Sequence, residues 1–285
     1  MPYGPQTDRE EDDALVRAIL EIVRSRTGLD FSGYRTATIR RRIGSRMAVI
    51  GVRTLAEYER FLAGADAETV PLVERLTIKV SRFYRNPVTF DCLREQVVPG
   101  LMEAARGGPL RFWSAGCGYG EEAYTLAMLL DEAGAPGTVQ ATDIDVIALE
   151  LARVAIYPPD ALADLPPDLT SRYLEPVTHR GERWYRVCDA LRSRVRFAQH
   201  DLTTTAPVPV DGPVDLVTCR NVLIYLERPV QATAVFNLRR ALAPGGFLCL
   251  GESEWPPASA AFEPLDFRTR IFRPSARASE EEAHI

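Results

Sequence analysis

The feature that most constrains this chain is the stretch Leu110-Arg-Phe-Trp-Ser-Ala-Gly-Cys-Gly-Tyr-Gly-Glu-Glu-Ala-Tyr124, which reads as strand, glycine turn and helix. An apolar run enters a Gly116-x-Gly118-x-Gly120 turn, where glycine lets the backbone bend sharply and lie against a ligand at the head of the next helix. Alone, such a turn is a weak signal. The residues after it sharpen the reading, because Glu121 and Glu122 occupy the first helical positions that a dinucleotide pyrophosphate would need. Two carboxylates there repel phosphate. They suit a cofactor with hydroxyls and a positive charge but no phosphate, which points to S-adenosylmethionine rather than NAD or ATP. Acids that merely favour a helix N-terminus through its dipole are the alternative at this stage.

Around this unit the chain divides near residue 86. Before it, the apolar spacing predicts only helices, at about Arg9 to Thr27, Tyr34 to Ile50, Leu55 to Leu62 and Ala67 to Thr77. Gly28 and Gly51 stand where C-caps belong, and Thr54 with Glu57 makes a capping-box pattern. Asn86-Pro87 opens a further helix that runs to about Arg106 before Gly107-Gly108. From Leu110 onward strand-like runs (110–115, 139–142, 195–198, 214–219 and 247–251) alternate with helices (121–132, 146–155 and 229–242). That order calls for a mostly parallel sheet covered on both faces, with ligands at the carboxyl ends of its strands.

Each strand end carries a polar residue. Asp143, after the second strand, is placed to accept hydrogen bonds from both hydroxyls of a ribose, and Asp145 reads as the N-cap of the following helix. Gln199-His200-Asp201-Leu202, after the third, offers an acceptor for an adenine amino group and an apolar side chain for its ring. Any one of these acids could be an ordinary loop residue; their joint occurrence at successive strand ends argues for one pocket.

Composition excludes several classes. A net charge of −5 disfavours a general nucleic-acid binder. Five scattered cysteines form no C-x-x-C pair, and with three histidines they make no zinc cluster, so no metal is expected. No apolar run approaches a membrane span, and Met1-Pro2-Tyr3 leads into an acidic helix start rather than a secretory leader. The expectation is a cytoplasmic enzyme that inserts in no membrane and acts as a monomer.

The fourth strand ends in Cys219-Arg-Asn-Val-Leu-Ile-Tyr225. Together with Gly116 to Glu122, Thr142-Asp-Ile-Asp145, Leu242-Ala-Pro-Gly-Gly-Phe247, Gly251-Glu-Ser-Glu254 and Leu76-Thr-Ile-Lys-Val-Ser-Arg-Phe-Tyr-Arg-Asn-Pro87, this segment resembles the chemotaxis receptor methyltransferases, the CheR family. The resemblance spans about residues 10 to 273. It implies an α/β chain of three parts: a small all-helical N-terminal domain (1–86), a linking helix and turn (87–109), and a Rossmann-like class I S-adenosylmethionine-dependent methyltransferase domain (110–274). An antiparallel β-subdomain would be inserted at about 173–194, and a mobile tail would follow from 275 to 285.

The implied reaction moves a methyl group from S-adenosylmethionine to glutamates on the cytoplasmic helical bundle of a chemoreceptor, leaving S-adenosylhomocysteine. By the same resemblance Lys79, Ser81, Arg85, Gly116, Glu122, Asp143, Asp201, Leu202, Arg220 and Asn221 line the cofactor site, with Arg85 and Tyr225 as the catalytic pair. Lys79, the only lysine in the chain, stands where an asparagine is expected. Ile39, Ile43, Met47 and Ile50 recur at helical spacing and should face the core, leaving Arg35, Arg42, Arg46 and Arg53 on a stripe that could bind an acidic receptor bundle or simply face solvent. Arg183-Trp-Tyr-Arg-Val187 reads as a hairpin, and the Gly-x-Gly insertion associated with peptide-tethered members is absent, favouring a tether-independent enzyme. Two alternatives stay open: the same cofactor pocket serving RNA or a small molecule, and a non-catalytic cofactor-sensing scaffold.

Overall fold

A computed structural model describes residues 5–77, 81–204, 206–257 and 261–275; Lys79 and the tail beyond Ser275 lie outside the described residues. The chain forms two compact units. Residues 5–77 make one of them together with the three-residue segment Tyr225–Glu227, and the other described residues make the second. The boundary drawn at residue 86 from sequence therefore lies within the second unit.

The first unit is helical: α1 (Pro5–Thr27), α2 (Thr36–Ile50), α3 (Leu55–Gly64), a 3-10 turn at Asp66–Glu68 and α4 (Thr69–Leu76). Gly51 takes the left-handed conformation (φ 76°) and its N–H donates to the Met47 carbonyl, ending α2 where the sequence places its cap. Thr54 and Glu57 form both halves of the capping box that starts α3. Ile39, Ile43 and Met47 of α2 pack with Val16, Ile19 and Val23 of α1, Tyr58 and Leu62 of α3, and Leu72 and Leu76 of α4. Ile50 is only half-buried against them. Each large apolar side chain buried in this way contributes roughly 1.5–3 kcal/mol.

The second unit opens with one continuous helical run, α5 (Pro87–Cys92), a π-helical turn at Leu93–Val97 and α6 (Val98–Ala104). It then builds a sheet from β1 (Leu110–Ala115), β2 (Gly137–Asp143), β6 (Val195–Gln199), β7 (Val214–Cys219), β8 (Leu242–Leu250), β9 (Phe262–Asp266) and β10 (Ile271–Pro274). Their order is β6-β2-β1-β7-β8-β10-β9. Strands β6, β2, β1, β7 and β8 run parallel, while at one edge β10 pairs antiparallel with β8 and β9 antiparallel with β10. Crossover helices α7 (Glu121–Glu132), α8 (Val146–Val154) and α9 (Arg228–Ala241) join the parallel strands. Strand order reverses between β1 and β7, which is where ligands enter sheets of this kind.

Several elements escaped the sequence reading. The β9–β10 hairpin is short, carries Pro264, and shows no clean alternation. The inserted hairpin, β4 (Leu174–His179) with β5 (Glu182–Val187), gains a third strand, β3 (Ile156–Tyr157), in the order β3-β5-β4. Two residues are too few to carry a periodicity.

Candidate functional site

The turn after β1 is built by left-handed conformations that glycine adopts most readily. Gly116 has φ 77°, and a Cβ there would overlap the Val222 side chain. Gly120 has φ 93°, with Ala152 Cβ 2.9 Å and the Tyr157 hydroxyl 3.1 Å from where its Cβ would stand. Gly118, between them, differs: a Cβ built on it meets nothing within 4 Å. The backbone is therefore packed at both ends of the turn and open at its middle, a cradle for a group lying on the peptide plane.

Asp143, the last residue of β2, closes that cradle. Its Oδ2 accepts the Gly118 N–H at 2.8 Å and its Oδ1 accepts the Asp145 N–H at 2.9 Å. These two amides, one on each carboxyl oxygen, fix the plane of the group. Asp145 caps α8 as expected, accepting the Ala148 N–H at 3.0 Å. An oriented carboxyl group beside an open glycine could hold a ribose.

Glu122, in the first turn of α7, is the centre of a buried polar cluster. Its Oε1 accepts from the Ser114 hydroxyl (2.8 Å) and the Thr218 hydroxyl (2.6 Å), and its Oε2 lies 3.3 Å from Arg220 Nη1. The Arg220 guanidinium, whose side chain is 2% exposed, also donates Nη2 to the Arg85 carbonyl (2.8 Å) and to Asn86 Oδ1 (2.6 Å), and stands over the Phe90 ring. Arg220 thus ties the end of β7 to the head of α7 and to the turn that carries Arg85. The turn itself is strained: Tyr84 and Asn86 flank Arg85 with φ of 58° and 65°, and Asn221, next to Arg220, has φ 61°. Non-glycine residues held in this region mark positions the surroundings over-determine. Ser114 and Thr218 went unnoticed in the sequence, and Asn86 was read only as the start of a helix, because each is an ordinary polar residue made significant only by what folds against it.

Glu121, the neighbour of Glu122, is 4% exposed, and its Oε2 has no hydrogen-bond partner among the described residues. Burial pushes its carboxyl up to about 7; a hydrogen bond with Ser81 works the other way and the Glu122 charge adds to the rise. The folded state therefore holds this proton more tightly than the unfolded chain. The associated stability is complete below the ordinary value of 4.5 and is lost as the pH rises through about 7. Glu121→Gln, which keeps the shape and removes the titration, is expected to stabilise the protein relative to the parent by roughly 1–3 kcal/mol at pH 8.5 and by little at pH 4.5. Urea unfolding at the two pH values checks this, and an equal effect at both would exclude it.

Glu254 performs a similar clamping task beyond β8. Its Oε2 accepts the N–H groups of Gly251 (2.7 Å) and Asn221 (2.8 Å), and its Oε1 accepts that of Ile224 (3.2 Å). A Cβ on Gly251 would stand 2.6 Å from that Oε2, which accounts for the glycine. Burial raises the Glu254 carboxyl and these amides oppose the rise. After β6, Asp201 closes a tight turn, its Oδ1 accepting the Thr203 N–H and hydroxyl at 2.8 and 2.7 Å, and Leu202 is buried. His200 is buried too, its ring edge-on to Trp113. Ser81 is half-buried.

The structure divides the four arginines expected on a docking stripe. Arg46 is not a free surface cation: its guanidinium forms a fork with Glu68, Nε to Oε1 and Nη2 to Oε2 both at 2.7 Å, and the Tyr58 hydroxyl donates to the same carboxylate at 2.9 Å. Arg35 precedes α2 and donates its Nε to the Leu226 carbonyl at 3.2 Å. Arg42 is half-buried and Arg53 exposed. Tyr225 ends a 3-10 turn (Leu223–Tyr225), is half-buried, and belongs to the helical unit.

A family model described as CheR methyltransferase, SAM binding domain, matches residues 79–271, and one described as CheR methyltransferase, all-alpha domain, matches residues 14–77. Among curated proteins, a putative methyltransferase Cher3 of Pseudomonas putida is 32% identical over 94% of this chain and all of its own length. A chemotaxis protein methyltransferase of Listeria monocytogenes is 32% identical over 82% of this chain and 87% of its own. An uncharacterised 104.1 kDa protein of Rhodobacter capsulatus is 37% identical over 86% of this chain, which spans only 26% of that protein.

Proposed function

The chain belongs to the CheR methyltransferase family and is an S-adenosylmethionine-dependent methyltransferase, and we propose that it makes glutamate methyl esters on the cytoplasmic helical region of a chemoreceptor. The observation that carries this reading is the presence, in one chain, of the all-helical domain and the cofactor domain of a family whose relatives include chemotaxis protein methyltransferases. No helix among the described residues is long and apolar enough to cross a membrane, so the enzyme would meet the receptor's water-exposed part.

The residues suit the chemistry. Bound S-adenosylmethionine supplies an electrophilic methyl group on a sulfonium centre. A glutamate side chain is already ionised at neutral pH, so the protein needs to supply no general base. Its task is to position and to exclude water. Asp143 would hold the ribose hydroxyls and Asp201 with Leu202 the adenine, while Ser81, Glu122, Arg220 and Asn221 shape the methionine end. The buried Glu122–Arg220 pair fixes the Arg85 carbonyl. Arg85 would present a fork to the substrate carboxylate and the Tyr225 hydroxyl would set its angle of approach. Charge is neutralised as the bond forms, so a dry site favours the transition state over solvated reactants.

Labelling of receptor-containing membranes with methyl-tritiated cofactor, followed by mapping of base-labile methyl esters, tests the substrate. Label on RNA with none on receptor fragments would select the other substrate class. Tyr225→Phe keeps the ring and removes the hydroxyl; turnover is expected to fall by about ten- to a hundredfold, with the cofactor Kd unchanged. Full activity in this variant would remove Tyr225 from the reaction.

A further inference from the structure

Tyr225-Leu226-Glu227 departs from the cofactor-binding unit for three residues and belongs by its contacts to the helical one. What holds it there is a short strap, Gly33-Tyr34-Arg35. Tyr34 and Leu226 form an antiparallel β-bridge. The Arg35 N–H donates to the Tyr225 carbonyl at 2.8 Å and the Glu227 N–H donates to the Gly33 carbonyl at 2.9 Å. The Arg35 side chain adds a third bond, Nε to the Leu226 carbonyl at 3.2 Å.

The strap is anchored to the helical core rather than hanging from it. Phe31, fully buried, packs edge-on against Tyr34 with ring centroids 5.2 Å apart, and the Tyr34 N–H donates to the Phe31 carbonyl. Asp30 shapes the turn before it by accepting the Ser32 N–H at 2.8 Å. Arg35 then leads directly into α2, the first residue of which is Thr36. The Tyr225 main chain therefore takes its position from the 33–35 loop of its own unit.

We propose that Arg35 is a positioning residue for Tyr225, acting through the main chain of Tyr225–Glu227, and not a docking contact for the substrate. The assignment rests on the reading of Tyr225 as the residue that orients the substrate carboxylate. Its physical basis is that a phenol can hold an angle of attack only as well as its own backbone is held, and misplacement of about 1 Å can cost a hundredfold in rate.

Arg35→Gln and Arg35→Ala separate the two roles, because the glutamine amide nitrogen occupies the place of arginine Nε along the side chain while carrying no charge. Steady-state methylation of a receptor fragment is the readout, with cofactor affinity measured separately by calorimetry. Arg35→Ala should lower kcat about tenfold, leave receptor KM within about twofold and leave cofactor Kd unchanged. Arg35→Gln should restore most of kcat. In a Tyr225→Phe background Arg35→Ala should have little further effect, since the two act on one group. Amide exchange of the 225–227 segment should accelerate in Arg35→Ala and not in Arg35→Gln. A docking role predicts the reverse pattern: both variants raise KM alike, kcat holds, and the Tyr225→Phe background changes nothing. That result, or unaltered exchange in Arg35→Ala, overturns the assignment. If the parent protein does not methylate receptor fragments, the substrate reading fails by itself, and the exchange comparison still decides whether Arg35 holds the segment.

Discussion

Asp143→Ala is expected to weaken S-adenosylmethionine binding by roughly 2–4 kcal/mol, about 30- to 1000-fold in Kd, because hydrogen bonds to an ionised group are worth roughly 1.5–3 kcal/mol each when the partner is otherwise desolvated. The geometry adds a second consequence. The same carboxylate accepts the Gly118 and Asp145 amides, so the alanine variant should also lose about 1–2 kcal/mol of stability. Asp143→Asn keeps one acceptor oxygen and the shape of the turn, and should fall between the two in both measurements. Titration calorimetry alongside urea unfolding separates the effects. Unchanged cofactor affinity in Asp143→Ala, or equally tight binding of NAD by the parent, would sink the assignment of this residue to the ribose.

Arg46→Glu is expected to be among the most destabilising single changes in the helical unit, by roughly 3–5 kcal/mol, because it leaves the Glu68 carboxylate uncompensated and sets a like charge beside it. On the sequence alone, reversing charge on this stripe looks harmless, as surface arginines seldom matter to stability. The observed fork makes Arg46 structural: the side chains of Arg46 and Glu68 are 18% and 5% exposed. The pairing also predicts a pH dependence. The Arg46 fork, and after it the Tyr58 hydroxyl, hold the Glu68 carboxyl below its ordinary value of 4.5. Its contribution is therefore fully present above that value and is lost as the pH falls through the depressed one. Thermal unfolding from pH 7 to pH 3 should show a steeper acid loss in the parent than in a double Arg46→Met, Glu68→Leu variant. Equal slopes would mean that the pair carries none of the acid sensitivity. Docking is then better tested at Arg42 and Arg53, where reversal should raise receptor KM with little change in melting.

How much of this was legible beforehand follows from how locally each feature is encoded. The strand, turn and helix at 110–132 were readable because an apolar run, three glycines and a stretch of strong helix formers are each decided by neighbouring residues. The helices of the first unit were legible for the same reason, and the Thr54–Glu57 box and Gly51 cap are interactions within three or four residues. The assignment of Asp143 to the end of β2 followed from strand order. Harder to see were the features made by residues far apart in the chain. Glu122 meets Arg220 across 98 positions, Arg46 meets Glu68 across 22, and Glu254 reaches back 33 to Asn221.

The sequence by itself determined the succession of parallel strands and crossover helices, the glycine turn, the acids after β2 and β6 and the family to which they belong, since all of these are carried by residue type and short-range spacing. Only the tertiary structure decided which charges are spent on the protein and which remain for ligands. It turned Arg46 from a docking residue into half of a buried pair, made Arg220 the tie between α7 and the Arg85 turn, and assigned Tyr225–Glu227 to the helical unit. The physical reason is that burying an ionised group is unfavourable unless it is paired and hydrogen-bonded, and the partner that satisfies it is chosen by how the chain packs, which neighbouring residues do not encode.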